Sequence, residues 1–156
     1  MRTTIGRRSF AVVSSFSSAG HGHAAGIAYA FDGAHLWFHT MRSSRKARNV
    51  ASNPNVGICV TVRKLPVGPP FTISFQGEAT VVSMEDELVL DRLGAGTLKA
   101  ITSHGELETS DGCFVRVTPT GPRFTYGLGV SALALLRDPL GAGPGVVSFD
   151  AWEATR

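Results

Sequence analysis

The feature that most limits the folds open to this chain is the dipeptide Asp32-Gly33 together with its flanks, which are rich in extended-chain formers on both sides. Asp-Gly suits the positive backbone angles of a tight hairpin. Residues 23–31 before it and Leu36-Trp37-Phe38-His39-Thr40 after it both read as strands. Upstream, Phe-Ala-Val-Val-Ser-Ser-Phe at 10–16 gives another strand, closed by the turn-rich Ser17-Ser18-Ala19-Gly20-His21-Gly22. A meander of three strands is expected over the first forty residues.

The period then changes. Residues 43–54 begin with Ser43-Ser44, which suits a helix N-cap, and stop at Asn53-Pro54, so a short helix is predicted. Residues 56–62 return to the β pattern, residues 63–70 are a Pro-rich loop, and 71–82 form a long β run in which Gly77 predicts a bulge or bend. Ser83 and Asp86 resemble a capping pair for a helix whose apolar face is Leu88, Val89, Leu90 and Leu93, ending near Gly94 or Gly96. Over residues 97–111, Leu98, Ile101 and Leu107 keep helical spacing but Gly105 interrupts it. Cys113-Phe114-Val115-Arg116-Val117 and Arg123-Phe124-Thr125-Tyr126 predict a closing hairpin around Pro119-Thr120-Gly121-Pro122. Residues 130–156, Gly/Pro-rich at 138–145, read as an extended tail that packs on a partner subunit. The expected fold is mainly β, one domain over 1–156, with about six antiparallel strands closed into a small barrel and helical connections.

Composition narrows the function classes. At 156 residues with 43% hydrophobic and 17% charged, the chain is expected to form a globular core, and its longest apolar runs fall far short of the ~20 residues of a membrane span. A polar Arg/Thr/Ser start argues against a secretory signal, so a cytoplasmic location is expected. The net charge of +3 is too small for a dense nucleic-acid-binding stripe. Cys59 and Cys113 lie in apolar segments without Cys-x-x-Cys spacing and are expected as buried free thiols.

The chain has no nucleophile elbow, Walker loop or dinucleotide Gly fingerprint. His21 and His23 lack a third ligand in their segment, so no metal site is expected. Glu85, Asp86 and Glu87 sit where they complement a helix dipole rather than forming an acid/base pair. The run from Thr40 to Asn49 is different in kind. It puts hydroxyls, the free N–H groups of a helix start and the cations Arg45 and Lys46 directly after an aromatic strand, which suits a phosphate monoester. The alternative for the same run is a solvated basic helix face.

Leu36-Trp37-Phe38-His39-Thr40, Ser44-Arg45-Lys46, Asn53-Pro54-Asn55-Val56 and the strand containing Gly77-Glu78-Ala79 resemble, in order and spacing, the pyridoxamine 5′-phosphate oxidase-like family of flavin-binding proteins. The resemblance covers residues 10–83. It implies a six-stranded antiparallel, Greek-key split β-barrel that forms a homodimer with a cofactor site at the subunit interface. It also implies that His39 and Thr40 lie beside the flavin ring or ribityl chain, that Ser44, Arg45 and Lys46 hold the FMN phosphate, and that Thr72 stands where the family's oxidases often have a ring-contacting Gln.

Two departures accompany the likeness. The Arg and Lys that true pyridoxamine phosphate oxidases share on the second strand fall on Ala24 and Tyr29, and the C-terminal Arg-containing substrate segment has no match, so vitamin B6 oxidation is not expected. The chain is also similar to an actinobacterial branch that uses the deazaflavin F420, whose acidic tail Arg42, Arg48 or Lys64 could meet. The expected function is an FMN-dependent oxidoreductase acting on a small organic substrate, with His39 and Tyr29 as the only side-chain acid/base candidates. The alternatives are an F420-dependent reductase or a non-catalytic protein that holds flavin, F420 or haem. Nucleic acid and membrane are not expected partners.

Overall fold

The computed structural model describes residues 2–62 and 71–147, so the loop 63–70 with Lys64 and the end 148–156 lie outside the described residues. In chain order the elements are helix α1 (Arg2–Gly6), strands β1 (Phe10–Phe16), β2 (Gly22–Ala28), β3 (Ala30–Phe31) and β4 (Leu36–Met41), and helix α2 (Arg45–Ser52). Strands β5 (Asn55–Val62) and β6 (Phe71–Val82), helix α3 (Glu87–Gly94), short 3₁₀ turns at Lys99–Ile101 and Glu106–Glu108, and strand β7 (Gly112–Tyr126) follow. Helices α4 (Ala132–Arg137) and α5 (Pro139–Ala142) and strand β8 (Pro144–Val147) end the described chain. The strands form one sheet in the order β2-β1-β5-β6-β7-β4-β3, with β8 added to β7 and every pairing antiparallel. The sheet curls until β2 and β4 come back into contact, giving a split β-barrel.

Alternation along the strands divides the barrel's inside from its outside. Ala11 and Val13 of β1, Val56, Ile58 and Val60 of β5, Ile73 and Phe75 of β6, and Val115 and Val117 of β7 pack inward. Between them Val12, Ser14, Cys59 and Ser74 face outward and are half-buried. A second cluster lies on the outer side of β4 and β7, where α3 and the first 3₁₀ turn cover Trp37, Val82, Val89, Leu98, Ile101 and Phe114. This is why β4 is apolar on both faces.

Asp32 joins the two layers. Its carboxylate accepts from the backbone N–H of Ala34 (2.9 Å) and His35 (2.6 Å), from Trp37 Nε1 (2.9 Å) and from Arg92 Nε (3.2 Å) of α3. Burial alone would raise its pKa, but these donors override it and hold the group at about 2. The pairing Ala30↔Trp37 and Phe31↔Leu36 makes Asp32–His35 a four-residue loop rather than a two-residue turn, with Gly33 at φ 96°.

The structure corrects several sequence expectations. The closing hairpin is a single strand: β7 runs through Pro119-Thr120-Gly121-Pro122, and Gly121 and Pro122 bulge out between the pairs Gln76↔Thr120 and Phe75↔Arg123. Local turn chemistry is overridden because β6 offers a partner along almost the whole of β7. The irregularity expected at Gly77 is therefore on the neighbouring strand, while Gly77 itself stays in register with Val56 and Pro119. Its lack of a side chain is required for close approach, since a Cβ there would lie 2.6 Å from Val117 Cγ1 and 2.9 Å from the Thr118 carbonyl oxygen. Residues 130–147 are not an extended tail: α4, α5 and β8 fold back, and β8 pairs with β7 of the same chain. With β3 split from the end of the run at 23–31, the sheet has eight strands among the described residues, not six. Asp86 alone caps α3, accepting from Leu88 N at 2.9 Å, while Ser83 bonds Glu85 instead. Cys113 is buried and Cys59 half-buried, both as free thiols.

Two outcomes follow for stability. Gly77→Ala should lower the unfolding free energy by about 1–3 kcal/mol, read from chemical denaturation, because a backbone carbonyl blocks the added methyl. Asp32 has a folded pKa below its ordinary value, so its contribution is complete above about pH 4 and is lost as the pH falls toward 2. Asp32→Asn should cost about 1–2 kcal/mol at pH 7, after allowance for solvent screening, and flatten that acid limb of a thermal-melting series.

Candidate functional site

The start of α2 is built by three independent ties. Ser44 takes an extended N-cap conformation, and its Oγ accepts from Ala47 N at 3.3 Å and from Thr40 Oγ1 at 3.1 Å. Asp111, in the residue before β7, receives Ser43 N at 3.1 Å and Ser43 Oγ at 2.5 Å, while Arg42 N donates to its backbone carbonyl at 2.8 Å. The hydrogen bonds from Ser43 hold the Asp111 carboxyl below its ordinary range. Nothing local in the sequence pairs Asp111 with Ser43, which lie 68 residues apart. The N–H groups of Arg45 and Lys46 precede the first intrahelical hydrogen bond and leave the helix end open to an acceptor.

Rotation of α2 about its axis is fixed from inside. Ala47, Asn49 and Val50 are buried, and Asn49 Nδ2 donates to Ser15 Oγ of β1 at 3.1 Å. Arg45 and Arg48, three residues apart, therefore share a side of the helix. They line a cavity of about 330 Å³ with Asn49, with Ser17 and His21 from the β1–β2 connection and with His23 of β2. No carboxylate of the described residues lines it.

The expected site residues are distributed unequally around this cavity. Thr40 and Ser44 are hydrogen-bonded to each other beneath the helix start, and Arg45 enters the cavity. Lys46 lies about 100° further round the helix. Its charge, with that of Arg42, opposes the rise that burial imposes on the Cys113 thiol. His39 points to the opposite face of β4 from Thr40: its ring stands edge-on to Phe114 at 5.4 Å, and Nε2 is buried without a hydrogen-bond partner among the described residues. Burial pulls its pKa down, with Glu106 opposing. Thr72 is half-buried at the far end of the sheet, paired with Thr61 and Tyr126, whereas Thr40 pairs with Cys113 at the start of β7. Roughly 35 Å of strand separates the two. Tyr29, the other acid/base candidate, donates its hydroxyl to the Ile5 carbonyl at 2.7 Å, and burial pushes its pKa up, Arg8 opposing. Ala24 is exposed on β2.

A groove runs along the outside of β1, β5 and β6. Its near part, about 400 Å³, is lined by Phe16, Ser14, Asn55 and Gln76, and its far part, about 310 Å³, by Val12, Cys59, Ser74 and Phe124. Phe16 of the groove lies beside Gly22 of the cationic cavity, where a Cβ on Gly22 would stand 3.5 Å from the Phe16 ring, so the cavity meets an uncharged surface of small and aromatic residues.

The sequence profile of the pyridoxamine 5′-phosphate oxidase family matches residues 1–121. The chain belongs to that family. No curated protein matches its sequence. Among solved structures, a haem-binding protein from Mycobacterium smegmatis superposes with a TM-score of 0.73 at 16% identity, covering 98% of this chain and 58% of that one. A haem storage protein from Vibrio cholerae gives 0.66 at 17% identity, covering 78% and 87% of the two chains, and an F420 reductase gives 0.55 at 21%, covering 76% and 92%. At these identities the likeness is one of fold, shared with proteins named for different ligands. No helix among the described residues is long and apolar enough to cross a membrane.

Ser44→Ala should cost about 1 kcal/mol of stability by uncapping α2. Asp111→Ala should leave the melting temperature nearly unchanged but raise the exchange rate of the Ser43 and Ser44 amides, measured by hydrogen exchange, because it frees the turn without opening the core.

Proposed function

We propose that this member of the pyridoxamine 5′-phosphate oxidase family binds FMN and acts as an oxidoreductase on a small organic molecule. The observation that carries the reading is the cavity holding Arg45 and Arg48 without a carboxylate, beside the open start of α2. Guanidinium forks match phosphate oxygens two at a time, and the helix end adds backbone donors. The adjoining uncharged groove has the chemistry a planar ring needs. When bound, the flavin supplies a ring that exchanges a hydride with substrate. The protein's part is to anchor the phosphate through Arg45, Arg48 and the hydroxyl proton of Ser44, and to keep the ring side free of charge. Neither His39 nor Tyr29 has the setting of an acid or base acting in this groove, since both are packed into the protein on other surfaces.

Two copies complete the arrangement in this reading. Thr72 cannot reach the α2 end of its own chain, but a second copy packed on the outward face would bring its own Thr72 to the groove. That face presents Val12, Ser14, Cys59, Thr61, Ser74 and Gln76, with Glu78 the next outward residue of β6, and Phe10 of β1 stands 51% exposed, while Leu136 of α4 and Leu140 of α5 stand 79% and 87% exposed. Apolar exposure of that extent favours a homodimer. The expected setting is the cytoplasm.

F420 is the nearest alternative, because it too joins a tricyclic ring to a phosphate and a fold neighbour is an F420 reductase. Haem has an observation of its own: His21 and His23 share the cavity with the arginines, as an iron ligand beside propionate partners would, and two fold neighbours are named for haem.

Titration of cofactor-free protein with FMN, F420 and haemin, followed by fluorescence and by the Soret band, separates the three. FMN should bind in the micromolar range or tighter. Arg45→Ala with Arg48→Ala should weaken it by about 3 kcal/mol, the scale of charged hydrogen bonds, and Lys46→Ala should weaken it less. FMN affinity that ignores the arginines would return α2 to an ordinary basic face, and a Soret shift dependent on the histidines would favour haem.

A further inference from the structure

We propose, resting on the phosphate-anchored reading above, that His21 and His23 form the second wall of the anion clamp opposite Arg45 and Arg48, and that the clamp takes a terminal phosphate monoester. The β1–β2 connection fixes the backbone at His21 in advance of any ligand. Ser17 N–H donates to the His21 carbonyl at 3.0 Å, His21 N–H donates to Ser17 Oγ at 3.1 Å, and Gly20 N–H donates to the Ser17 carbonyl at 2.9 Å. Gly20 takes φ 79°, a conformation that an L side chain would resist, which lets the chain reverse within this tight loop.

His23 is half-buried on β2, paired with Ser15, and lines the cavity together with the exposed His21. The cavity walls carry two guanidinium groups, two imidazoles and the Ser17 hydroxyl, and no carboxylate to neutralise them. Donors on two opposing walls suit the three terminal oxygens and double charge of a monoester better than the two free oxygens and single charge of a diester. That distinction separates FMN, which ends in a monoester, from F420, whose phosphate is an internal diester.

The inference also accounts for Ala24 and Tyr29. The β2 side of the site carries no Arg or Lys, and the histidines at its start supply donors from the same strand and the turn before it.

The test compares FMN with riboflavin, the same ring without its phosphate, and with F420, by fluorescence titration of the wild-type chain and of His21→Ala/His23→Ala. The wild type should prefer FMN to riboflavin and to F420. The double variant should lose about ten-fold in FMN affinity, with riboflavin unchanged and with inorganic phosphate a correspondingly poorer competitor. His23→Arg should restore or tighten FMN binding while leaving riboflavin alone. If the double variant melts early, His21→Ala at its exposed position carries the same comparison. A wild type that binds FMN and riboflavin equally would overturn the phosphate-anchored reading itself. A preference for FMN that survives loss of both histidines would overturn only the clamp, and tighter binding of F420 than of FMN would overturn the monoester assignment.

Discussion

Strand β7 is the member on which the other strands depend. On one side it pairs with β6 from Phe114 to Tyr126; on the other it carries β4 along residues 112–117 and β8 along 123–126. One strand thus fixes where β4 ends, and the end of β4 fixes where α2 begins. The residue before β7, Asp111, then clasps Ser43 directly, so the start of the helix is set by the strand pairing rather than by the helix's own propensity. Gly112, the first residue of β7, is pinned by the same crowding: a Cβ there would meet His39 Nε2 at 2.8 Å, Met84 Sδ at 2.9 Å and the Thr109 carbonyl oxygen at 2.9 Å. The sheet and the site turn share one seam.

What could be read locally was chemistry that acts locally. Ser44 caps α2, Asn53 ends it with its N–H on the Asn49 carbonyl, and Asp32 organises the β3–β4 loop, because each effect involves residues within five positions. Pro119-Gly121-Pro122 misled for the converse reason. Its turn propensity amounts to a few kcal/mol at most, and eleven residues of β6 in register outweigh it by expelling Gly121 and Pro122 as a bulge. The Asp111–Ser43 clasp and the β8 addition join residues far apart in the chain, for which one sequence carries no signal.

The orientation of His39 was legible in principle. Strand side chains alternate, so neighbours such as His39 and Thr40 face opposite sides and cannot contact one ligand from the same surface. The family resemblance assigned both to one cofactor, and the period of the strand argues against it when the two are weighed together. The His21/His23 pair shows the opposite failure. Read along the chain it is a Ser/Gly turn near the surface; only the curl of the sheet, which returns β2 to the vicinity of β4 and α2, gives it arginines for neighbours.

A basic helix becomes an anion site only if its rotation is fixed. Arg42, Arg45, Lys46 and Arg48 are spread around the start of α2, and on an unanchored helix each would point into water, where charges interact weakly. The buried hydrogen bond from Asn49 to Ser15 removes that freedom, since breaking it would strand two polar groups in the barrel wall. With Asn49 held, Arg45 and Arg48 must face the β1–β2 turn, and Lys46 must face the β7 side, where its field reaches Cys113. A turn of about 100° would exchange them. The cationic lining of the cavity therefore rests less on how many cations the segment carries than on one neutral side chain that aims two of them.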